Sequence, residues 1–89
     1  MKEYLGIIKR FAGSFAPRGF LDCDGSLLPI SQWSVLFAVV GTQYGGDGEA
    51  SFALPDLRDK DRHGKRIPFG SNGQPRWIIC VQGIFPERP

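Results

Sequence analysis

Twelve glycines and seven prolines are spread through a chain of 89 residues, and no other feature restricts its fold as strongly. Glycine weakens the interior of a helix or strand, and proline breaks both. Long uninterrupted elements are therefore excluded, and the brief segments left between turns read as a β-rich fold rather than a helix bundle. Eighty-nine residues enclose one core and are too few for two, so a single domain over 1–89 is expected. The chain is 42% hydrophobic and 22% charged, which gives it apolar surface to bury and excludes compositional disorder. A core of this size supplies only a few kcal/mol of net stability, which makes self-association physically attractive.

Read along the chain, residues 5–12 (Leu5-Gly6-Ile7-Ile8-Lys9-Arg10-Phe11-Ala12) and 20–23 (Phe20-Leu21-Asp22-Cys23) have strand-like content. Gly13 and Pro17-Arg18-Gly19 mark a hairpin or corner between them. Asp24-Gly25 is a turn signal, and Leu27-Leu28-Pro29-Ile30 reads as extended because Leu28 precedes proline. Ser31 suits the N-cap of a short helix over 32–40, with Gly41 at the position of a left-handed C-terminal glycine. Trp33, Leu36, Phe37 and Val40 then fall on one face and are expected to be core. Tyr44-Gly45-Gly46-Asp47-Gly48 is a loop, residues 51–54 a short strand, and about 59–75 a polar, irregular stretch. The final run, 77–85, is the most apolar and β-branched in the chain and is expected to be a central or at least well-covered strand. The resulting fold class is β-rich α+β, barrel-like or sandwich-like, with one short helix.

The supply of catalytic chemistry is thin. His63 is the only histidine and sits in a charged, glycine-flanked loop, so no nucleophile and base pair is evident beside Cys23 or Cys80. One histidine and two distant cysteines give no zinc spacing, and Asp47 with Glu49 lacks the alternating oxygen ligands of a calcium loop. No Gly-Lys-Ser/Thr follows the glycines at 45–48, which excludes a P-loop. The reading is therefore not an enzyme, with no cofactor and no metal.

Eleven basic and nine acidic residues leave a formal charge of +2, and the positive charge gathers between Arg58 and Arg66. Aspartates interleave that run, so it reads as a solvated loop rather than a nucleic-acid footprint. Asp56 and Arg58, directly after Pro55, are placed to pair with each other or with loop amides and so fix a turn. The start of the chain shows no signal peptide, and no apolar stretch is long enough to span a bilayer, so synthesis and folding in the cytoplasm are expected. That history favours Cys23 and Cys80 as reduced, buried thiols.

Phe11-Ala12-Gly13-Ser14-Phe15-Ala16-Pro17-Arg18-Gly19-Phe20 leading to Cys23-Asp24-Gly25 resembles the opening of phage tail collar domains, including microcystin-dependent proteins, which runs close to F-A-G-x-F-A-P-x-G-W-x-x-C-x-G. The likeness continues through Leu28-Pro29-Ile30-Ser31, Gly41-Thr42, Tyr44-Gly45-Gly46-Asp47-Gly48 and Phe52-Ala53-Leu54-Pro55-Asp56-Leu57-Arg58. Ile79-Cys80-Val81-Gln82-Gly83-Ile84-Phe85-Pro86 is similar to the family's closing strand. The motif residues Gly19, Cys23, Gly25, Gly45, Gly46, Asp47, Gly48, Pro55, Asp56 and Arg58 are read as structural turns.

The resemblance implies a virion or tail-like-particle component, a structural and assembly module of a tail fibre and a homo-oligomer, trimeric in such fibres, which meets other tail proteins or a cell-surface receptor. Relatives commonly carry a long insertion after the P-D-L-R element, with histidines that bind metal on the trimer axis. This chain lacks it, and His63 is alone, so metal binding and the fibre tip do not carry over. The shortened middle leaves open a free-standing adaptor or a domesticated remnant. A small receptor- or glycan-binding module is the alternative function, with Trp33, Tyr44 and Trp77 as the candidate ligand or interface aromatics.

Overall fold

The final apolar run organises the fold. In the computed structural model, which describes residues 3–71 and 73–86, strand β5 (Arg76–Cys80) lies between β1 (Ile8–Phe11) and β2 (Phe20–Asp22) in an antiparallel sheet of order β1-β5-β2. Ile79 is the Cα partner of Ile8 on one side and of Leu21 on the other. Both faces of β5 are covered: Ile79 joins the main core cluster, while Ile78 and Cys80 are buried outside it. A strand covered on both faces has no polar face to show, which is why Trp77-Ile78-Ile79-Cys80-Val81 does not alternate. Phe11, Pro17, Phe20 and Ile78 line a hollow on the second side, where Lys9 pairs with Glu3 and stands 5.6 Å from the Phe20 ring centre.

The second sheet pairs β3 (Leu27–Pro29) with β4 (Ser51–Ala53), antiparallel, with Leu28 opposite Phe52. Helix α1 (Ser34–Val40) separates the two strands in sequence and lays Leu36 and Val40 into the core, with Trp33, Phe37 and Val39 partly buried against it. The Phe37 and Phe52 rings meet at 5.3 Å, tilted by 54°. The core is Leu5, Cys23, Leu36, Val40, Phe52, Leu54, Ile79 and Val81, drawn from both sheets, the helix and the connecting segments. The β-rich α+β class expected from the glycine and proline punctuation is the class observed.

Of the hairpin or corner left open between the first two strands, the corner is observed, since each strand pairs with β5. Three local expectations are corrected. The first strand is Ile8–Phe11 rather than 5–12, because Tyr4, Leu5 and Gly6 turn, with Leu5 N–H donating to the Ile84 carbonyl at 2.8 Å and Gly6 N–H to Cys80 at 3.0 Å. The helix begins at Ser34, with Trp33 in the cap position and no side-chain cap. The Pro29 carbonyl accepts the N–H groups of Gln32 and Trp33, which holds Ser31 inside a preceding turn. Gly41 has a positive φ of 64° but a ψ of −151°, so it ends the helix outside the left-handed helical region.

The last strand also stops early, at Cys80 rather than 85. Val81 and Gln82 both donate to the Gly19 carbonyl, at 2.8 and 3.2 Å, and the chain then crosses the amino-terminal segment, where Ile84 bridges Tyr4 in parallel. A Cβ at Gly83 would strike the Glu3 carbonyl and lie 2.8 Å from Cys80 Sγ, so the crossing requires glycine. Met1 and Lys2, at the head of the segment read for a leader, lie outside the described residues, as do Asn72 in the 59–75 loop and residues 87–89 of the expected domain.

Candidate functional site

The two strongest motifs in the chain, Cys23-Asp24-Gly25 and Pro55-Asp56-Leu57-Arg58, are 30 residues apart in sequence and meet at the junction between the sheets. β2 leads into the first motif and β4 into the second, so their contact decides how one sheet is set against the other. Asp24 and Asp56 form an antiparallel bridge, Gly25 N–H donates to the Pro55 carbonyl at 3.2 Å, and Leu57 N–H donates to Cys23 at 2.9 Å. Leu54 N–H closes the same ladder on Ser26 at 2.9 Å. Cys23 N–H donates to Trp77 of β5 at 2.9 Å, which ties the junction into the three-stranded sheet.

Side chains lock this joint. Arg58 Nε donates to Asp56 Oδ1 at 2.9 Å and Nη2 to Oδ2 at 2.8 Å, a two-point pair in which each side chain is about three-quarters covered. The expected pairing of these residues is thus observed, and Arg66 Nε adds a third approach to Oδ2 at 3.5 Å. The Arg58 guanidinium holds the Asp56 carboxyl below the usual carboxylate range and is itself pushed up in return. Cys23, fully buried, has its thiol raised to about 12 by burial and by the neighbouring Asp22 and Asp24 carboxylates. At neutral pH it is a packed thiol and not a nucleophile. Cys80 is also free and buried, with Sγ 3.5 Å from the Gln82 carbonyl.

The Tyr44-Gly45-Gly46-Asp47-Gly48 loop is built on one carboxylate. Asp47 Oδ1 accepts the N–H groups of Glu49, Ala50 and Ser51 at 2.9, 2.9 and 3.0 Å, and the Ala50, Ser51 and Glu49 bonds hold its carboxyl below the usual range. The same loop seats itself on β4: Ala53 N–H donates to the Gly45 carbonyl at 3.1 Å and Gly48 N–H to Ser51 at 3.0 Å. Gly46, at a φ of 92°, passes so close that a Cβ would overlap Phe52 Cα and sit 2.7 Å from the Ser51 carbonyl oxygen. Asp47 Oδ1 is thus committed to backbone amides. Among the described residues no group of three His, Cys, Asp or Glu side chains is placed to hold a metal ion.

The three candidate aromatics separate. Trp33 and Trp77 pack partly buried against the core, with the Arg10 guanidinium 4.5 Å from the Trp77 ring centre, and Tyr44 stays exposed. His63 is exposed in the turn of the charged loop, where its backbone N–H donates to Asp61 Oδ1 at 2.8 Å. An apolar groove of about 600 Å³ opens where the two chain ends cross, lined by Tyr4, Ile7, Ile84, Phe85 and Pro86, of which the first four are exposed.

Two organising residues escaped the sequence reading. Arg76 joins Asp22 at 3.2 Å and donates to the Gly13 and Ser14 carbonyls at 3.2 and 2.6 Å, pinning the 12–19 corner. Gln74, buried, accepts from Asp59 N–H at 2.8 Å and donates to the Ile67 carbonyl at 3.3 Å, so the stretch read as irregular is cross-braced. A buried glutamine between Gly73 and Pro75 carries no sequence signal. An arginine opening the most apolar run was the one available hint for Arg76.

Both the joint and the Asp47 loop fall inside residues 6–61, the stretch matched by the family model of the Phage Tail Collar Domain. The chain belongs to the phage tail collar domain family. No curated protein and no solved structure matches it. In this collar domain the matched stretch carries β1 to β4 and the helix, while β5 lies beyond it and fills the gap between β1 and β2. The collar motifs at 23–25 and 55–58 meet at the junction of the two sheets, and the family is that of a structural phage tail domain. Among the described residues no helix is long and apolar enough to cross a membrane.

Proposed function

We infer that the chain works as a non-catalytic structural and assembly module of a phage tail fibre or a phage-derived tail-like particle, as one domain, and that it associates with copies of itself. The observation that carries this reading is the use of the collar motifs: Cys23, Gly25, Asp47, Pro55, Asp56 and Arg58 spend their hydrogen-bonding groups inside the fold, joining sheets and seating loops. The buried, protonated Cys23 thiol and the committed Asp47 and Asp56 carboxylates leave the motif residues as scaffold. Exposed Tyr4, Ile7, Ile84 and Phe85 gather in one groove, an apolar surface of the kind that association covers. The alternative, a small receptor- or glycan-binding module, is left with Tyr44 as the exposed member of its three aromatics.

Size-exclusion chromatography with light scattering tests the reading. A homo-oligomer, trimeric as in related fibres, is expected at micromolar concentration, and a monomer that persists at high micromolar concentration contradicts self-association. Binding of the isolated chain to a glycan array, lost in Tyr44→Ala, would move the conclusion to attachment.

A further inference from the structure

The match to the collar model ends at Asp61, and just there the chain makes a feature with chemistry of its own. Lys60 and Arg66 bridge antiparallel, and Asp61 N–H donates to the Lys65 carbonyl at 2.8 Å, closing a hairpin over 60–66. The Asp61 carboxylate, the one acid within it, accepts the N–H groups of His63 and Lys65 at 2.8 and 2.9 Å. The root is braced as well: Ile67 N–H donates to Asp59 at 2.7 Å, buried Gln74 ties Asp59 to Ile67, and Arg66 Nη1 donates to the Arg58 carbonyl at 2.7 Å. Lys60, Arg62 and Lys65 are exposed and have no acidic partner among the described residues. Acids and bases alternate in the sequence here, but the fold turns the acid onto backbone amides and the bases outward.

We propose that this hairpin is a binding finger for closely spaced phosphate groups on an anionic membrane surface. Three exposed cationic side chains, Lys60, Arg62 and Lys65, stand within six residues, while Arg66 is held at the root by Asp56 and the Arg58 carbonyl; arginine and lysine both suit phosphate oxygens. Residues 60–66 contain no Phe, Tyr or Trp to stack a base or a sugar and no Asn or Gln to read a base edge. Charge is what such a tip can recognise, and a plane of headgroups offers it phosphates without demanding a groove. The bracing matters because a finger already ordered loses little freedom on binding. The inference stands apart from the assembly reading, since it uses neither the collar motifs nor the oligomeric state.

Co-sedimentation of the full chain with mixed phosphatidylglycerol and phosphatidylcholine vesicles is the test, with phosphatidylcholine vesicles alone as the control. Binding is expected to the anionic vesicles only, to fall as salt rises, and to be displaced by inorganic tripolyphosphate. The double variant Arg62→Ser, Lys65→Ser should bind roughly 25-fold more weakly, from about fivefold for each cation removed. Its melting temperature should match the parent because both side chains are exposed, and Lys65→Glu provides an independent second variant. Asp61→Ala separates a formed finger from bulk charge: it makes the chain more positive, yet binding should weaken because the turn loses its brace. Unchanged binding in the double variant, tighter binding in Asp61→Ala, or tighter binding to duplex DNA than to the vesicles at equal salt would overturn the proposal. Tripolyphosphate binding without vesicle binding would assign the finger to free phosphate and overturn the membrane assignment.

Discussion

Asp47 and Asp56 perform the same elementary act, since each carboxylate closes a turn by accepting nearby donors, but they hold different things in place. Asp47 lies at the surface and gathers three successive amides of its own loop. Asp56 lies partly covered at the meeting of two sheets, clamped by Arg58 and approached by Arg66, with its backbone bridged to Asp24. The contrast teaches that a motif's chemistry does not set its structural weight. What the turn connects does, and the Asp56 turn connects strands that enclose the core.

The comparison breaks altogether if the residue under both regions is removed. Phe52 is fully buried, pairs with Leu28, touches Phe37, and carries the Asp47 loop at one end of β4 and the joint at the other. Phe52→Ala should cost about 3–5 kcal/mol, comparable with the whole stability of a small domain. Urea denaturation followed by fluorescence should then show no cooperative transition.

Asp56→Ala comes next. It removes two charge-assisted bonds and leaves Arg58 unpaired in a partly covered place, at a cost of about 1–3 kcal/mol. The denaturation midpoint should fall without a change of slope, and an unchanged midpoint would show that the backbone ladder alone sets the joint.

Acid sharpens the contrast further. Both carboxyls are held below their usual range in the folded chain, so their contribution is fully present above the unfolded aspartate pKa of about 3.9. It is lost as pH falls through the lower folded values. Melting temperature should therefore drop on acidification below about pH 4, and a chain carrying Asp47→Ala and Asp56→Ala should give a flatter profile over the same window.

The smallest global effect is expected for Asp47→Ala. Amide exchange should speed up at Glu49, Ala50 and Ser51, whose donors lose their acceptor, while the melting temperature moves less than in Asp56→Ala. A drop as large as that of the joint variant would erase the distinction between a local and a connecting turn.

Much of this was legible in the order of residues. Glycine and proline spacing limited the elements to short pieces, and the apolar, β-branched run at 77–85 announced a well-covered strand, though not where it stops. The i, i+3, i+4, i+7 apolar face located the helix, and adjacency in sequence offered Asp56 either Arg58 or the loop amides as partners, both of which it takes. These are local signals, because steric freedom, periodicity and near neighbours are written into the chain itself. Tertiary structure decided the rest. β5 separates β1 from β2, Cys23-Asp24-Gly25 lies against Pro55-Asp56-Leu57, Gln74 braces a loop that sequence showed only as polar, and Arg76 pins the 12–19 corner. It also turned the Asp61 carboxylate inward and left its basic neighbours facing solvent. Which side a charged residue faces, and which distant backbone it meets, depends on how the strands pair across the whole chain, and nothing in a short stretch of sequence carries that information.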